Sequence, residues 1–363
     1  MLGAGSWGTT FAKILADGGA DVVLWARRPE LAREISEGRR NSDYLPGVNL
    51  PANLRATSRL EEALAGAGQV FVSVPSQSLR ENLVAAGDLL DPAAVIVSLM
   101  KGVERSTGLR MSEVIAEVLP IPAERIAVIS GPNLALEIAK EQPTAAVVSS
   151  ASLETAQAVA KLATNRYFRS YVNTDVIGTE FGGVLKNLVA VAIGIVDGVG
   201  YGENTKASIV TRGLVEMTDF AVAYGAQAET LAGLAGLGDL IATCQSPLSR
   251  NNTAGRLLGQ GYGYHDVVER MQQTTEGLTS VGPILELAHA KGVEMPIAEQ
   301  VRQVLAGTLD PRDIAPHLTT DSAEPQGERT IDDGQAHGGA AVWGAFKRAF
   351  DQLRDGGRGS RRA

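Results

Sequence analysis

Met1-Leu2-Gly3-Ala4-Gly5-Ser6-Trp7-Gly8-Thr9-Thr10-Phe11 opens the chain. Gly3, Gly5 and Gly8 stand at the spacing G-x-G-x-x-G. In such a turn the first glycine permits a tight bend and the second lets backbone approach a pyrophosphate. The third lets a helix pack closely on a strand. The helix N-terminus then offers unpaired N–H groups to negative charge. Alone the pattern is weak, because an ordinary strand–helix turn in a chain with 41 glycines could carry the same letters. Its surroundings decide: the helix-like stretch Trp7–Gly18 follows at once, and the apolar run Val22–Trp25 comes next. The opening stretch therefore reads as a dinucleotide-binding turn.

Outward from that turn, short apolar runs recur at Val22–Trp25, Val70–Val74, Val95–Leu99, Ile126–Ile129 and Ala145–Val148. Runs apolar on both faces are what strands covered by helices on each side require. The stretches between them, Trp7–Gly18 and Ser76–Leu90 among them, are long enough for crossover helices. The expectation is an α/β Rossmann-type doubly wound parallel sheet. Its first strand, central in such a sheet, is expected to be truncated, since only Met1 and Leu2 precede Gly3. From Ile177 onward strand signals stop. Helical patterning takes over at 184–196, 208–224, 252–258, 281–291 and 297–305. Residues 1–172 are expected to form a dinucleotide-binding domain and 173–318 an all-α substrate domain. Residues 319–363 are expected to be a tail of low order. Within it Val342, Phe346, Phe350 and Leu353 share one face of a candidate short amphipathic helix.

The 363 residues suit two domains. A net charge of -8 and a pI near 5.2 argue against a nucleic-acid partner. A single cysteine, Cys244, excludes an internal disulfide and fits a reducing compartment. No leader pattern is visible. The longest apolar run, 188–196, is short of the ~20 residues of a membrane span. A soluble cytoplasmic protein is expected. The histidines His265, His289, His317 and His337 lie apart from strand ends and polar clusters, which speaks against a histidine acid–base. One cysteine and scattered histidines also offer no metal site.

Several positions carry chemistry. The strand after the glycine loop runs Leu24-Trp25-Ala26-Arg27-Arg28, with arginines where an acid would favour NAD. Guanidinium groups pair well with a phosphate dianion, so NADP is the expected cofactor, with NAD as the alternative. Lys101 directly follows the run Val95–Leu99, where ligands of open α/β sheets bind. A solvated loop lysine is the plain alternative. Ser130-Gly131-Pro132-Asn133-Leu134-Ala135 also follows a strand, as a ligand loop or as a simple turn. Lys186 is one of eight lysines and lies in the apolar stretch Val184-Leu185-Lys186-Asn187-Leu188-Val189. A lysine buried there would lose hydration and move toward proton-transfer chemistry. Otherwise it snorkels from a helix end. Gly236-Leu237-Gly238-Asp239 and Ser249-Arg250-Asn251 gather groups that suit a small phosphorylated, hydroxylated molecule, with Arg250 as phosphate anchor. Ser249 could equally be a helix cap.

These motifs, in this order, together with Gly182-Gly183 and Thr211-Arg212-Gly213, resemble the bacterial NAD(P)-dependent glycerol-3-phosphate dehydrogenase family over about residues 1 to 310. The resemblance implies reversible reduction of dihydroxyacetone phosphate to sn-glycerol 3-phosphate, feeding phospholipid synthesis. It implies Lys186 as proton donor and acceptor. Lys101, Gly131, Asn133, Asn187, Asp239, Thr243, Ser249, Arg250 and Asn251 are implied around the substrate. Gly3, Gly5, Ser6, Trp7, Gly8, Arg27, Arg28, Lys101, Ala135, Arg250 and Glu276 are implied around the cofactor. It further implies a helical domain like the C-terminal domain of 6-phosphogluconate dehydrogenase, and a homodimer. Asn133 stands where the family more often has Ser or Thr. Two other readings remain open at this point: a related two-domain NADP reductase of another hydroxy acid, and a non-catalytic NADPH-binding protein.

Overall fold

The computed structural model describes residues 1–271 and 275–314. It divides into two compact units, Met1–Gly183 and a second beginning at Val184. The boundary falls inside one long helix, Val176–Val199.

The first unit is built on seven strands: β1 (Val22–Trp25), β2 (Leu54–Thr57), β3 (Gln69–Val72), β4 (Val95–Ser98), β5 (Ile126–Ser130), β6 (Thr144–Ser150) and β7 (Phe168–Asn173). β1 pairs with β2, and β3 with β4 and β4 with β5, all in parallel. The parallel expectation fails beyond β5. β6 runs antiparallel to β5, and β7 lies parallel to β6. The run 145–148 is apolar whichever way the strand points, so composition could not register the reversal.

The first strand is as short as expected, yet its place in the sheet is filled. Leu2 bridges in parallel to Trp25 on one side and to Val72 on the other. Its N–H donates to Phe71 (2.8 Å), and its carbonyl accepts from Ser73 (2.8 Å). The Met1 carbonyl accepts from Trp25 (2.8 Å), and Gly3 N–H donates to the Trp25 carbonyl (3.2 Å). Two residues thus fill the central position and join β1 to β3. Leu2, 1% exposed, supplies the apolar body that the position needs.

Helix Ser6–Asp17 follows the glycine loop and buries Phe11 completely. Phe11 meets Trp7 and Phe71 at 5.4 Å and Phe168 at 5.9 Å between ring centres. Burying one such ring contributes about 1.5–3 kcal/mol. This packing ties the loop's helix to the sheet.

Among the described residues of the second unit there is no strand, as expected. Its helices include Glu203–Ala223, Asp239–Gln245, Arg250–Gly259, Glu276–Ala290 and Pro296–Leu305. The apolar run 188–196 belongs to the 24-residue helix Val176–Val199. By length and composition that helix could cross a membrane, which the run alone did not indicate. Its most apolar stretch is 83% buried inside the protein, so it serves as a core helix. It meets helix Arg250–Gly259 backbone to backbone. Gly194 and Gly198 face Gly255 and Gly259, and a Cβ at any of the four would run into the opposite main chain. The amphipathic helix expected at Val342, Phe346, Phe350 and Leu353 lies outside the described residues.

Candidate active site

In the first unit the glycine loop has the geometry its spacing predicts. Gly3 holds a φ of +104°, which side-chain-bearing residues rarely adopt, and a Cβ there would strike the Ser73 carbonyl. A Cβ on Gly8 would strike the Gly3 carbonyl, while Gly5 faces open space. Helix Ser6–Asp17 begins at Gly5 without a side-chain cap and without an acid in its first turn. Its first N–H groups are therefore available to an anion.

Sequence reasoning missed what braces this loop. Asn41, 1% exposed, donates to the Ala4 carbonyl (3.0 Å) and to Thr9 Oγ1 (2.8 Å). It follows helix Pro29–Gly38 in a polar stretch with no periodic signal. Ser6 Oγ donates to the Tyr44 carbonyl (2.7 Å), and Thr10 Oγ1 to that of Ala135 (3.2 Å).

Arg27 and Arg28 are exposed at the end of β1. Arg28 is engaged by Asp43 at 2.5 Å, a pairing that raises its pKa. Lys101 Nζ donates to the Gly131 carbonyl (2.9 Å). Gly183 is packed against this pair: a Cβ there would stand 2.8 Å from Ser130 Oγ and 3.1 Å from Lys101 Cγ. Trp7 Nε1, Ser130 Oγ and both amide atoms of Asn133 are buried without a hydrogen-bond partner among the described residues. Buried polar atoms left unpaired are costly and mark places where a ligand supplies the partner. The uncapped helix, the open Gly5 and these orphaned atoms fit a dinucleotide.

Ahead of the second cluster, Glu180 anchors the start of helix Val176–Val199. It accepts from Ser112 N (2.9 Å), Ser112 Oγ (2.5 Å) and Arg110 (2.6 Å). Burial raises its pKa, and Arg110 and Ser112 oppose that shift. This link between residues 68 to 70 positions apart left no signal in the sequence.

In the second unit Lys186 is 7% exposed. Its Nζ donates to Thr243 Oγ1 at 2.7 Å and lies 3.2 Å from Asp239 Oδ1. Thr243 Oγ1 in turn donates to Asp239 Oδ1 at 3.2 Å. The lysine, solitary in its own helix, meets its counter-charge from another. Asp239 and Thr243 are four residues apart on helix Asp239–Gln245 and so share a face. The glycines ahead of them make the turn: a Cβ on Gly236 would strike the Leu231 carbonyl. Asp239 and Thr243 are themselves buried, at 2% and 4% exposed. Cys244 beside them is buried too, and its thiol is pushed up to about 12 by loss of hydration.

Ser249 caps helix Arg250–Gly259, accepting from Asn252 N (3.2 Å). Arg250 opens that helix. The residue is exposed overall, yet its guanidinium stands in crowded surroundings whose desolvation lowers its pKa, against the opposite pull of the Glu276 carboxylate. Asn251 Nδ2 donates to Asn187 Oδ1 at 2.7 Å, and Gly277 N–H donates to Asn251 Oδ1 at 2.9 Å. The first unit carries Gly3, Gly5, Ser6, Trp7 and Gly8 in its opening loop, with Ala135 bonded to the helix behind it, and joins Lys101 to Gly131 two residues before Asn133. The second gathers Lys186, Asn187, Asp239, Thr243, Ser249, Arg250, Asn251 and Glu276.

Residues 1–156 match the family model of the NAD-dependent glycerol-3-phosphate dehydrogenase N-terminus, and residues 175–316 match that of its C-terminus. The chain is 77% identical to a glycerol-3-phosphate dehydrogenase [NAD(P)+] of Leifsonia xyli subsp. xyli, covering 100% of this chain and 99% of that one. It is 53% identical to the enzyme of that name from Thermobifida fusca, over 90% and 97% of the two chains. A crystal structure of glycerol-3-phosphate dehydrogenase from Coxiella burnetii superposes with a TM-score of 0.82 at 36% identity, covering 87% of this chain and 97% of that one. The ordered motifs, the two-part architecture and these matches lead to one conclusion: the chain belongs to the NAD(P)-dependent glycerol-3-phosphate dehydrogenase family.

Proposed function

We propose that this chain catalyses reversible reduction of dihydroxyacetone phosphate to sn-glycerol 3-phosphate with NAD(P)H, the step that supplies glycerol phosphate for phospholipid synthesis. The observation that carries the reading is the buried Lys186–Thr243–Asp239 cluster, in a chain whose relatives bear that enzyme's name. A bound reduced nicotinamide supplies the hydride that the carbonyl carbon accepts. Lys186 supplies the proton that the same carbonyl's oxygen takes up, so the ketone gains the elements of H₂ and becomes an alcohol. Asp239 and Thr243 hold the ammonium in place and compensate its burial. In the reverse direction the neutral amine takes the proton back.

Arg250 offers its guanidinium to the substrate phosphate, with Ser249 and Asn251 beside it. Lys101 meets both cofactor and substrate, and Gly131, Asn133 and Asn187 meet the substrate. Gly3, Gly5, Ser6, Trp7 and Gly8 cradle the pyrophosphate. Ala135, Arg250 and Glu276 line the cofactor. Arg27 and Arg28 favour the 2′-phosphate of NADP over the bare hydroxyl of NAD. Residues 1–172 serve the cofactor and 173–318 the substrate. A cytoplasmic location fits the single buried thiol and the nature of the substrate, and a homodimer is the assembly expected from the resemblance. The related hydroxy-acid reductase and the non-catalytic reading are not favoured, given the relatives' names and the intact Lys186 cluster.

The test is direct. Purified protein given dihydroxyacetone phosphate should oxidise NADPH, and NADH more weakly in a parallel assay. Tight NADPH binding without turnover would overturn the reading.

A further inference from the structure

We propose that Gly277 is a positioning residue that sets the hydrogen-bonding sense of Asn187 toward the substrate. A backbone N–H can only donate, so the side-chain atom that Gly277 N–H meets, 2.9 Å away, must be the Asn251 oxygen. With that oxygen committed, Asn251 turns its Nδ2 the other way. Nδ2 can only donate, so the atom it meets at 2.7 Å must be the Asn187 oxygen. The Asn187 amide is thereby oriented in turn, with its oxygen toward Asn251 and its NH₂ on the opposite side. All three residues are buried, at 9% exposed or less for the two asparagines. Water is therefore a poor substitute for any link of the chain.

Gly277 is the second residue of helix Glu276–Ala290, and Thr275 at its N-cap makes no side-chain cap. Its N–H is one of the unsatisfied donors at that helix start, and Asn251 satisfies it in place of a cap. The position also has no room for a side chain. A Cβ on Gly277 would stand 2.7 Å from the Asn187 carbonyl oxygen, 2.8 Å from Asn251 Oδ1 and 2.9 Å from Val191 Cγ2. Gly277 thus supplies both the donor that starts the relay and the empty space that lets the two amides close up. Asn187 directly follows Lys186, so the relay ends beside the proton donor. It makes Asn187 a donor toward an acceptor oxygen of the substrate, a carbonyl, hydroxyl or phosphate oxygen. This inference rests on the assignment of Asn187 to the substrate.

A double-mutant cycle tests it, reading kcat and KM for dihydroxyacetone phosphate, NADPH affinity and melting temperature for Gly277→Ala, Asn187→Ala and the pair. Each single variant is expected to raise KM about tenfold, the effect of one lost hydrogen bond to a partner group. NADPH affinity should stay near that of the unaltered protein. Because Gly277 acts through Asn187, the pair should be no worse than Asn187→Ala alone. Additive losses, an unchanged KM in Gly277→Ala, or an equal fall in NADPH affinity would each overturn the relay. An unchanged KM in Asn187→Ala would instead overturn the substrate assignment beneath it. Should Gly277→Ala fail to fold, Asn251→Asp keeps the acceptor for Gly277 and loses the donor for Asn187. It should show the same rise in KM, and a KM equal to that of the unaltered protein would overturn the proposal.

Discussion

The two units handle charge in opposite ways. In the first, the glycine loop works with main chain: bare N–H groups at the start of helix Ser6–Asp17, a Gly3 bend at φ +104°, and no acid in the helix's first turn. All its parts lie within six consecutive residues. In the second, side chains do the work, and they come from Val176–Val199, Asp239–Gln245, Arg250–Gly259 and Glu276–Ala290. A cofactor's pyrophosphate asks for many weak donors on one rigid turn. A proton transfer asks for one titratable group with its partners fixed around it. The first demand can be met locally in sequence. The second needs helices brought together, which here is the work of Gly194 and Gly198 against Gly255 and Gly259.

The largest expected effect would show that this division is real. Lys186→Ala should lower turnover by about 10²–10⁴-fold, the range for losing a general acid. NADPH binding should persist in a fluorescence titration, because the glycine loop belongs to the other unit. If binding falls together with turnover, the division of labour is wrong.

Asp239→Asn comes next. It leaves a buried ammonium without its carboxylate, a loss worth about 3–5 kcal/mol when one partner of a buried pair is removed. A melting curve should shift down and turnover should drop, with the loop's NADPH affinity little changed.

Gly8→Ala probes the other side of the comparison. The added methyl meets the Gly3 carbonyl, and overpacking of this kind costs about 1–3 kcal/mol. The cost should appear as weaker NADPH binding, while turnover at saturating NADPH changes less.

Glu216 sharpens the contrast in buried charge. Both Glu180 and Glu216 are buried, but Glu180 has Arg110 at 2.6 Å and two bonds from Ser112. Glu216 accepts from Ile297 N–H (2.7 Å) at the start of helix Pro296–Leu305. Burial pushes its carboxyl up to about 8, against the opposing bonds from Ile297 and Ala298. The folded state therefore holds a proton on Glu216 between about pH 4.5 and 8 that the unfolded chain has released. Stability must fall as pH rises through that window. Glu216→Gln should remove this slope, giving little change at pH 5 and a gain on the order of 1–3 kcal/mol at pH 9, one pKa unit being about 1.4 kcal/mol. An identical loss at both pH values would refute the assignment.

The smallest effect concerns cofactor choice. Arg27→Ala with Arg28→Ala should weaken NADPH more than NADH. The difference should be modest, because both side chains are exposed and Arg28 is shared with Asp43. Exposed ion pairs contribute about 0–1 kcal/mol. Equal weakening of the two cofactors would remove these arginines from the account of specificity.

The sequence alone determined whatever a short stretch can encode. The spacing of Gly3, Gly5 and Gly8 dictated the loop, because its function depends on backbone within one turn. Apolar runs located β1, β3, β4, β5 and β6, though one face of β1, at Val23 and Trp25, is only partly buried. β2 and β7 escaped that reading for a physical reason. Leu54-Arg55-Ala56-Thr57 and Phe168-Arg169-Ser170-Tyr171-Val172-Asn173 expose much of their length, so neither forms an apolar run. Lys186 could be singled out because a charge in an apolar helix is conspicuous. What only the tertiary structure decided was the company such residues keep. Asp239 and Thr243 on Lys186, Asn41 under the glycine loop, Arg110 on Glu180 and Gly277 beneath Asn251 all act across 26 to 70 residues of chain. Direction was decided there as well: β6 reverses against β5, and Met1 and Leu2 complete the sheet with two residues. Hydrogen bonds and close backbone contacts depend on distance in space, and a linear pattern records only distance along the chain.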